Sequence, residues 1–334
     1  LIIHVKSYNI LITIWTHSEA KYSFRLQKKY CITLRSEGQR LLARTHKPGV
    51  GGSNPPLATK IMNNISIFCL TLNPEHEEKI RMLSYIPVGL GDKNFSKECL
   101  SDKSKDNISN KNPYYGEYTF HYWVWKNYLQ NIKTEWVGFC QYRKFFVKDK
   151  SFSDFKNFND LKNSVIQDVS IELQNYDCIL GTKFSVEDFK ISKIIKNHLF
   201  EFLINPSKLI NKKSRNLKFH FDLFHGKENL DTAINLLGEE NKKDFSLFMN
   251  SQTSFNPHNM FICRVEILKN YYEEVFPWLE KCEKKFGFDN LDGYGLKRIY
   301  GFLAERFLSY WFNKNYRVKE LPIIVRDLSN YKNL

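Results

Sequence analysis

The run Trp136–Gln141 is apolar and reads as a buried strand, and Gln141-Tyr142-Arg143-Lys144 stands at its carboxyl end. In open α/β sheets ligands bind beyond the carboxyl ends of strands. Two adjacent cations at such a place suit a diphosphate, Arg143 supplying a two-pronged fork and Lys144 a point charge. The plainer reading is a pair of solvated surface cations. The loop at residues 100–112 (LSDKSKDNISNKN) offers Asp102, Asp106, Asn107, Ser109 and Asn112, which can read sugar or ribose hydroxyls or simply cap turns and helices. His220, Asp222 and His225 are metal-ligand types. A strand would put the first two on one face and a helix the last two, so neither gathers all three. Arg298 and Glu305 fall on one helical face, either as surface charges or as the wall of a cleft with Glu305 as base or sugar ligand. Asp289 and Asp292 precede that helix as caps or as a general base.

The elements that must hold these groups follow from periodicity. Ile65–Thr71, Trp136–Gln141 and residues 176–180 and 259–264 are short apolar runs, expected as buried strands, and residues 318–325 form a last, exposed strand or extended segment, Pro322 favouring an edge. Pro74 with Glu75, Glu77 and Glu78 opens a helix, residues 85–91 form a loop or strand end, and residues 93–111 form a long polar surface loop. Asn112 as N-cap and Pro113 begin an aromatic helix whose buried stripe is Tyr118, Tyr122, Trp125 and Leu129. Those rings are mostly core, although a few could stack on a base or a sugar. Residues 267–285 are helical but broken at Pro277. Residues 296–311 are the clearest helix, with Leu296, Ile299, Tyr300, Leu303, Phe307 and Tyr310 on one arc. Residues 148–175 and 183–250 read as helices and loops covering the sheet. Strands alternating with helices predict an α/β sandwich with a mostly parallel sheet.

Composition sets the limits. The chain has 334 residues, 42% apolar and 15% aromatic, enough for one large core and too apolar for global disorder. No run of about 20 apolar residues offers a membrane span. Seven scattered cysteines without a Cys-x-x-Cys pair fit a reducing, cytoplasmic setting better than a disulfide framework or a zinc site. The formal charge of +14 is uneven: residues 1–61 carry +8 and the remainder +6. Nucleic acid is therefore not an expected partner, while the residual positive charge permits peripheral contact with an anionic inner-membrane face. Gly52-Ser53-Asn54-Pro55 can be encoded by a stretch resembling the T-arm of a transfer-RNA gene. Residues 1–61 are accordingly expected to be a non-native translated segment, or else a basic arm, ahead of a start at Met62 and one domain over residues 62–334. The chain lacks Gly-x-Gly-x-x-Gly, Walker, Gly-x-Ser-x-Gly and His-Glu-x-x-His motifs. It also lacks Asp-x-Asp, so a divalent cofactor, manganese or magnesium, has no such motif to hold it.

Five segments taken in order resemble the bacterial domain-of-unknown-function family number 4422, found among capsule, exopolysaccharide and lipopolysaccharide synthesis proteins. They are DNISNKNPYYGEYTFHYWVWKN (106–127), WVGFCQYRKFF (136–146), YDCIL (176–180), NMFICR (259–264) and GFLAERFLSYW (301–311). The resemblance implies a GT-A-like sandwich that moves a sugar from a nucleotide-sugar donor to a glycan or lipid-linked glycan acceptor. The family's His-Tyr-Arg-Arg stands here as Gln141-Tyr142-Arg143-Lys144, losing the imidazole but keeping both cations, and Glu117 matches the Glu of the family's Glu-Leu-Thr. The site so implied uses Arg143 and Lys144 on the leaving diphosphate without an obligatory metal, and Asp292 or Glu305 as base. Its donor or sugar contacts are Asp102, Asp106, Asn107, Asn112, Glu117, Tyr142, His225, Asn259 and Arg298. The alternatives are a carbohydrate- or nucleotide-binding protein without catalysis and an RNA-binding protein, the latter predicting steep salt dependence.

Overall fold

The computed structural model describes residues 2–5, 10–13, 64–149, 155, 157–187 and 214–331. The chain divides into two compact units, Leu1–Lys60 and Ile61–Leu334. In the first, Ile2–Val5 and Ile10–Thr13 pair as an antiparallel hairpin. The Gly52–Pro55 stretch on which the translated-segment expectation rests lies outside the described residues, as do residues 188–213 of the stretch expected to cover the sheet.

The second unit is built on one sheet. Its strands are β1 (Ile65–Thr71), β2 (Ile86–Gly89), β3 (Leu100–Ser101), β4 (Trp136–Gln141), β5 (Lys144–Phe146), β6 (Cys178–Gly181), β9 (Phe261–Arg264), β10 (Val318–Leu321) and β11 (Ile323–Val325). A separate pair, β7 (Phe184–Ser185) and β8 (Ser254–Phe255), stands apart from it. The sheet order is β10-β6-β9-β4-β1-β2-β3, with β5 joining β4 to β11. Pairing is parallel except around β9, which runs antiparallel to both β4 and β6, and around β5. This mostly parallel sheet between helices is the expected α/β sandwich.

Alternation along the strands feeds two cores. Phe68 and Leu70 of β1, Val137 and Phe139 of β4, and Phe261 and Cys263 of β9 face one layer of helices. Ile65, Ile67 and Cys69, Trp136 and Cys140, and Ile262 face the other. A strand buried on both faces reads as a continuous apolar run, so these central strands are visible in the sequence. Burying aromatic side chains such as Phe68, Phe139 and Trp136, all at most 1% exposed, contributes about 2–3 kcal/mol each before entropy is subtracted.

Several helices differ from expectation. Asn112 is the first residue of a short helix, Asn112–Tyr115, not its cap; its side chain instead bonds the Gly116 carbonyl at 3.0 Å. Gly116, at φ 59° and ψ −133°, breaks the chain there. Helix α1 (Tyr118–Trp123) follows and widens into a π-helical segment, Val124–Tyr128. Its fully buried face carries Tyr118, Phe120, His121, Trp123 and Val124, while Tyr122, Trp125 and Leu129 are only half-buried. Helix α3 (Val265–Phe286) passes through Pro277 unbroken, because Phe276, Trp278 and Leu279 beside it and apolar residues farther along both arms are held in the core. The last long helix is two: α4 (Gly293–Lys297) and α5 (Ile299–Asn315), jointed at Arg298. Helix α5 is buried around nearly its whole circumference, Glu305 and Arg306 included, so a single apolar arc understates it. The 93–111 loop carries β3, which extends the sheet edge beside β2. Among the described residues no helix is long and apolar enough to cross a membrane, and the six described cysteines are free.

Candidate functional site

Strands β1, β2 and β4 run parallel and end together, and two adjoining chambers open beyond their carboxyl ends. The first, about 510 Å³, is lined by Leu70, Thr71 and Leu72 of the β1 end, Leu90, and Asn112, Tyr142 and Arg143. The second, about 560 Å³, is lined by Lys144, His258, Asn259, Tyr294, Phe302 and Glu305 among others. Glu117, Gln141, Arg143 and Arg298 line both. The first chamber has an apolar end; the second is walled by hydrogen-bonding groups.

Glu117 is the knot of the site. One of its oxygens accepts from Gln141 Nε2 and from Asn259 Nδ2, both at 3.1 Å, and the other pairs with Arg298 Nη2 at 3.2 Å. It thereby ties the end of β4, the turn before β9 and the joint between α4 and α5 to one carboxylate. Gly116 makes this possible: a Cβ there would lie 2.0 Å from Arg298 Nη2. Gln141 also donates to the His258 carbonyl at 3.3 Å. Gln141, where the resembled family has His, is therefore a fixed wall group whose amide nitrogen is committed to two acceptors.

Glu305 is anchored on both sides. It accepts from the His258 backbone N–H at 2.5 Å and pairs with Arg306. Arg306 is 2% exposed, lies against the Phe255 ring at 3.9 Å, and has its pKa lowered by burial against the opposing pull of Glu305. In this dry setting the pair holds together, because removing either member strands a buried charge.

Two cations remain. Arg143 is exposed, lies 5.7 Å from the Tyr142 ring, and forms no ion pair among the described residues. Lys144 has no carboxylate within ion-pair distance among the described residues; its Nζ stands 3.0 Å from His258 Nδ1. Burial lowers the Lys144 pKa and the Glu117 charge opposes that shift. Burial, with Lys144 and Arg143 nearby, lowers His258 to about 4, so it is neutral at pH 7. The two carboxylates in the chambers are each already paired with an arginine, so the site carries two uncompensated positive charges.

The structure gathers Asn112, Glu117, Tyr142, Arg143, Lys144, Asn259, Arg298 and Glu305 around the chambers. Tyr142 stacks on His76 at 5.0 Å. Other candidates stand elsewhere. Asp102 is 1% exposed, with both carboxylate oxygens unpartnered and its pKa raised by burial. Asp106 accepts from the Tyr122 hydroxyl at 3.2 Å, and Asn107 closes its own turn by accepting from Ser109 N at 3.2 Å. Asn107 thus builds its turn and Asp106 ties the loop to α1, and none of the three lines a chamber. His225 ends α2 (Leu217–His225), stacks on Phe302 at 4.1 Å and lies 3.1 Å from the Gly295 carbonyl, backing the wall of the second chamber. Asp292 is exposed at the start of α4 and Asp289 is likewise exposed, and neither lines a chamber. Asp222 pairs with Lys218 at 2.8 Å. No group of three or more His, Cys, Asp or Glu side chains poised for a metal occurs among the described residues. The donor set at the end of β4 is an amide and two cations, which does not fit a divalent ion.

His258 and Tyr294 were not anticipated. His258 sits in an Asn-Pro-His-Asn turn, and its partner Lys144 is 114 residues away in sequence. Tyr294 is 71% exposed at the mouth of the second chamber.

An α/β sandwich with a mostly parallel sheet, one antiparallel strand inserted beside its centre, and chambers at the carboxyl ends of the parallel strands is a GT-A-like architecture. The apo structure of a bifunctional glycosyltransferase, WbbM, matches at a TM-score of 0.57 and 22% identity over 79% of this chain. This chain spans 45% of that one. A core-mannan synthase (CmsA/Ktr4) from Aspergillus fumigatus in its Mn/GDP form is a much looser match, with a TM-score of 0.25, 12% identity, and coverage of 78% of this chain and 73% of that one. A comparison with curated proteins finds no match. The profile of the family described as "Domain of unknown function (DUF4422)" matches residues 73–316, and the chain belongs to that family.

Proposed function

We propose that the chain is a glycosyltransferase that takes a sugar from a nucleoside-diphosphate donor. The observation that carries this reading is the pair Arg143 and Lys144, unpaired with any described carboxylate at the carboxyl end of β4, Arg143 bordering both chambers and Lys144 the second. A nucleoside diphosphate esterified to a sugar carries two negative charges on its phosphates, which these cations balance. Arg143 borders both chambers, so the diphosphate lies at their junction, with the nucleoside against Leu70, Leu72 and Leu90 and the sugar in the polar chamber. As the glycosidic bond breaks, charge grows on the leaving diphosphate, and preorganised cations stabilise that charge more than the ground state. Glu305 faces the sugar chamber and is the carboxylate in place to orient or deprotonate an acceptor hydroxyl; Asp292 is not. The acceptor in this reading is a growing surface glycan of the capsule, exopolysaccharide or lipopolysaccharide kind, often lipid-linked at the cytoplasmic face of the inner membrane.

The test is transfer or donor hydrolysis measured across a panel of nucleotide sugars in excess chelator. Activity persists without divalent metal, and Arg143→Ala lowers it by at least about 100-fold, in line with the loss of a charged transition-state donor. Full activity in Arg143→Ala, or activity only with added metal, refutes the mechanism. Binding of nucleotide sugars without any turnover would instead favour the non-catalytic alternative.

A further inference from the structure

Residues 258 and 259 both adopt left-handed backbone conformations, His258 at φ 81° and Asn259 at φ 53°. Two consecutive non-glycine residues in that region cost on the order of 1 kcal/mol or more each, and such strain persists only where the surroundings enforce it. The enforcement is visible. Asn256 is clamped by its backbone N–H, which donates to Ser309 Oγ at 2.9 Å, and by its side-chain amide, which donates to the Gly181 carbonyl at 2.7 Å. The His258 N–H is bound by Glu305 and the Asn259 amide by Glu117. The turn thus points the His258 ring into the second chamber, which it lines, and not into the first.

The ring's hydrogen-bonding state is also fixed. An ammonium can only donate, so Lys144 Nζ, 3.0 Å from Nδ1, makes Nδ1 the acceptor and puts the ring proton on Nε2. Nε2 has no partner among the described residues. Burial and the two neighbouring cations keep the ring uncharged. Every carboxylate lining the chamber is matched to an arginine, and Arg143 and Lys144 are balanced by a diphosphate, so no cation is left over for an acidic sugar.

We propose that His258 is a specificity-determining residue of the second chamber, its Nε2–H donating to a hydroxyl of an uncharged sugar on the donor. This rests on the glycosyltransferase reading of the same chambers. The experiment is calorimetric titration of the full chain with UDP, UDP-glucose, UDP-galactose, UDP-glucuronate, GDP and GDP-mannose. At least one uncharged nucleotide sugar binds more tightly than its own nucleoside diphosphate, and UDP-glucuronate does not. His258→Gly and His258→Asn keep a residue that tolerates the left-handed turn while removing Nε2–H. Each lowers the preference for the sugar ester about tenfold and leaves nucleoside-diphosphate affinity within about twofold. A preference unchanged in both variants overturns the proposal, as does tightest binding of the acidic sugar. If the unaltered chain binds no nucleoside diphosphate at all, the glycosyltransferase reading itself fails, an outcome distinct from loss of the sugar preference alone. A variant that loses diphosphate and sugar binding equally shows a merely structural histidine and also overturns the proposal.

Discussion

Lowering the pH should destabilise this protein while most of its carboxylates are still charged. His121 and His225 are 1% and 4% exposed, and burial depresses both to about 3. His121 faces the Tyr272 hydroxyl at 2.7 Å and the rings of Phe139 and Phe261; His225 lies against Phe302. In the unfolded chain each titrates near 6.5. Between pH 6.5 and about 3 the unfolded state therefore binds protons that the folded state refuses, and stability falls as the pH drops through that window. At pH 5 the cost is about 1.5 pH units times 1.36 kcal/mol, or about 2 kcal/mol for each ring and about 4 kcal/mol for the two. His258, held to about 4, acts in the same direction. The raised Asp102 and Asp222 carboxyls oppose it, since they take up protons more readily when folded. Against a typical total of about 5–15 kcal/mol, a loss of this size is large. Urea titrations followed by tryptophan fluorescence at pH 7.5, 6 and 5 measure it directly. The expected result is a folding free energy several kcal/mol lower at pH 5 with an unchanged denaturant slope. Equal stability at pH 5 and 7.5 would show that these rings are hydrated or already charged in the folded state.

Two further perturbations address the knot around Glu117. Gly116→Ala places a Cβ against Arg298 in a backbone region reserved for glycine, and should cost about 2–3 kcal/mol with a matching fall in thermal midpoint; an unchanged midpoint contradicts the geometry. Glu117→Gln keeps one acceptor but leaves Arg298 without its charge partner. Because the pair is partly exposed, the stability loss should stay near 1 kcal/mol, while turnover falls at least about tenfold and nucleoside-diphosphate affinity holds or tightens; loss of diphosphate binding would show that Glu117 supports the cations instead.

The sheet was legible because its central strands are buried on both faces and so carry uninterrupted apolar runs. The two cations at the end of β4 were legible for a related reason, since a polar cluster directly after such a run has to emerge at the sheet's carboxyl edge. The helical side was less so. Pro277 reads as a break locally, yet the apolar groups along both arms of α3 outweigh one missing N–H. The joint at Arg298 leaves no mark in the apolar period, yet α4 buries no residue and Leu296 is only half-buried, so the core stripe begins at Ile299. Arg306 is buried because the adjacent Glu305 pairs with it and the Phe255 ring, remote in sequence, receives it, and the second relation is not local. The loop aspartate and asparagine at 106 and 107 illustrate the opposite error, in which residues able to bind a sugar are consumed by the loop's own structure, Asn107 in its turn and Asp106 in tying the loop to Tyr122.

His258 shows why the chamber's chemistry could not be read from the chain alone. A histidine after Asn-Pro in a loop is commonplace, and nothing near it in sequence sets its tautomer or charge. Remote residues do so: Lys144 at the end of β4 fixes the tautomer and, with burial and Arg143, the charge, while Glu305 from α5 and, through Asn259, Glu117 from the turn before α1 hold the backbone turn that aims the ring. Each of these is polar for a reason visible only when the others are in place. The carboxylates neutralise arginines, the lysine is left without a carboxylate partner among the described residues, and the imidazole is left uncharged. The site's net charge, and therefore the charge of what it can hold, is decided by which side chains pair with one another across the fold.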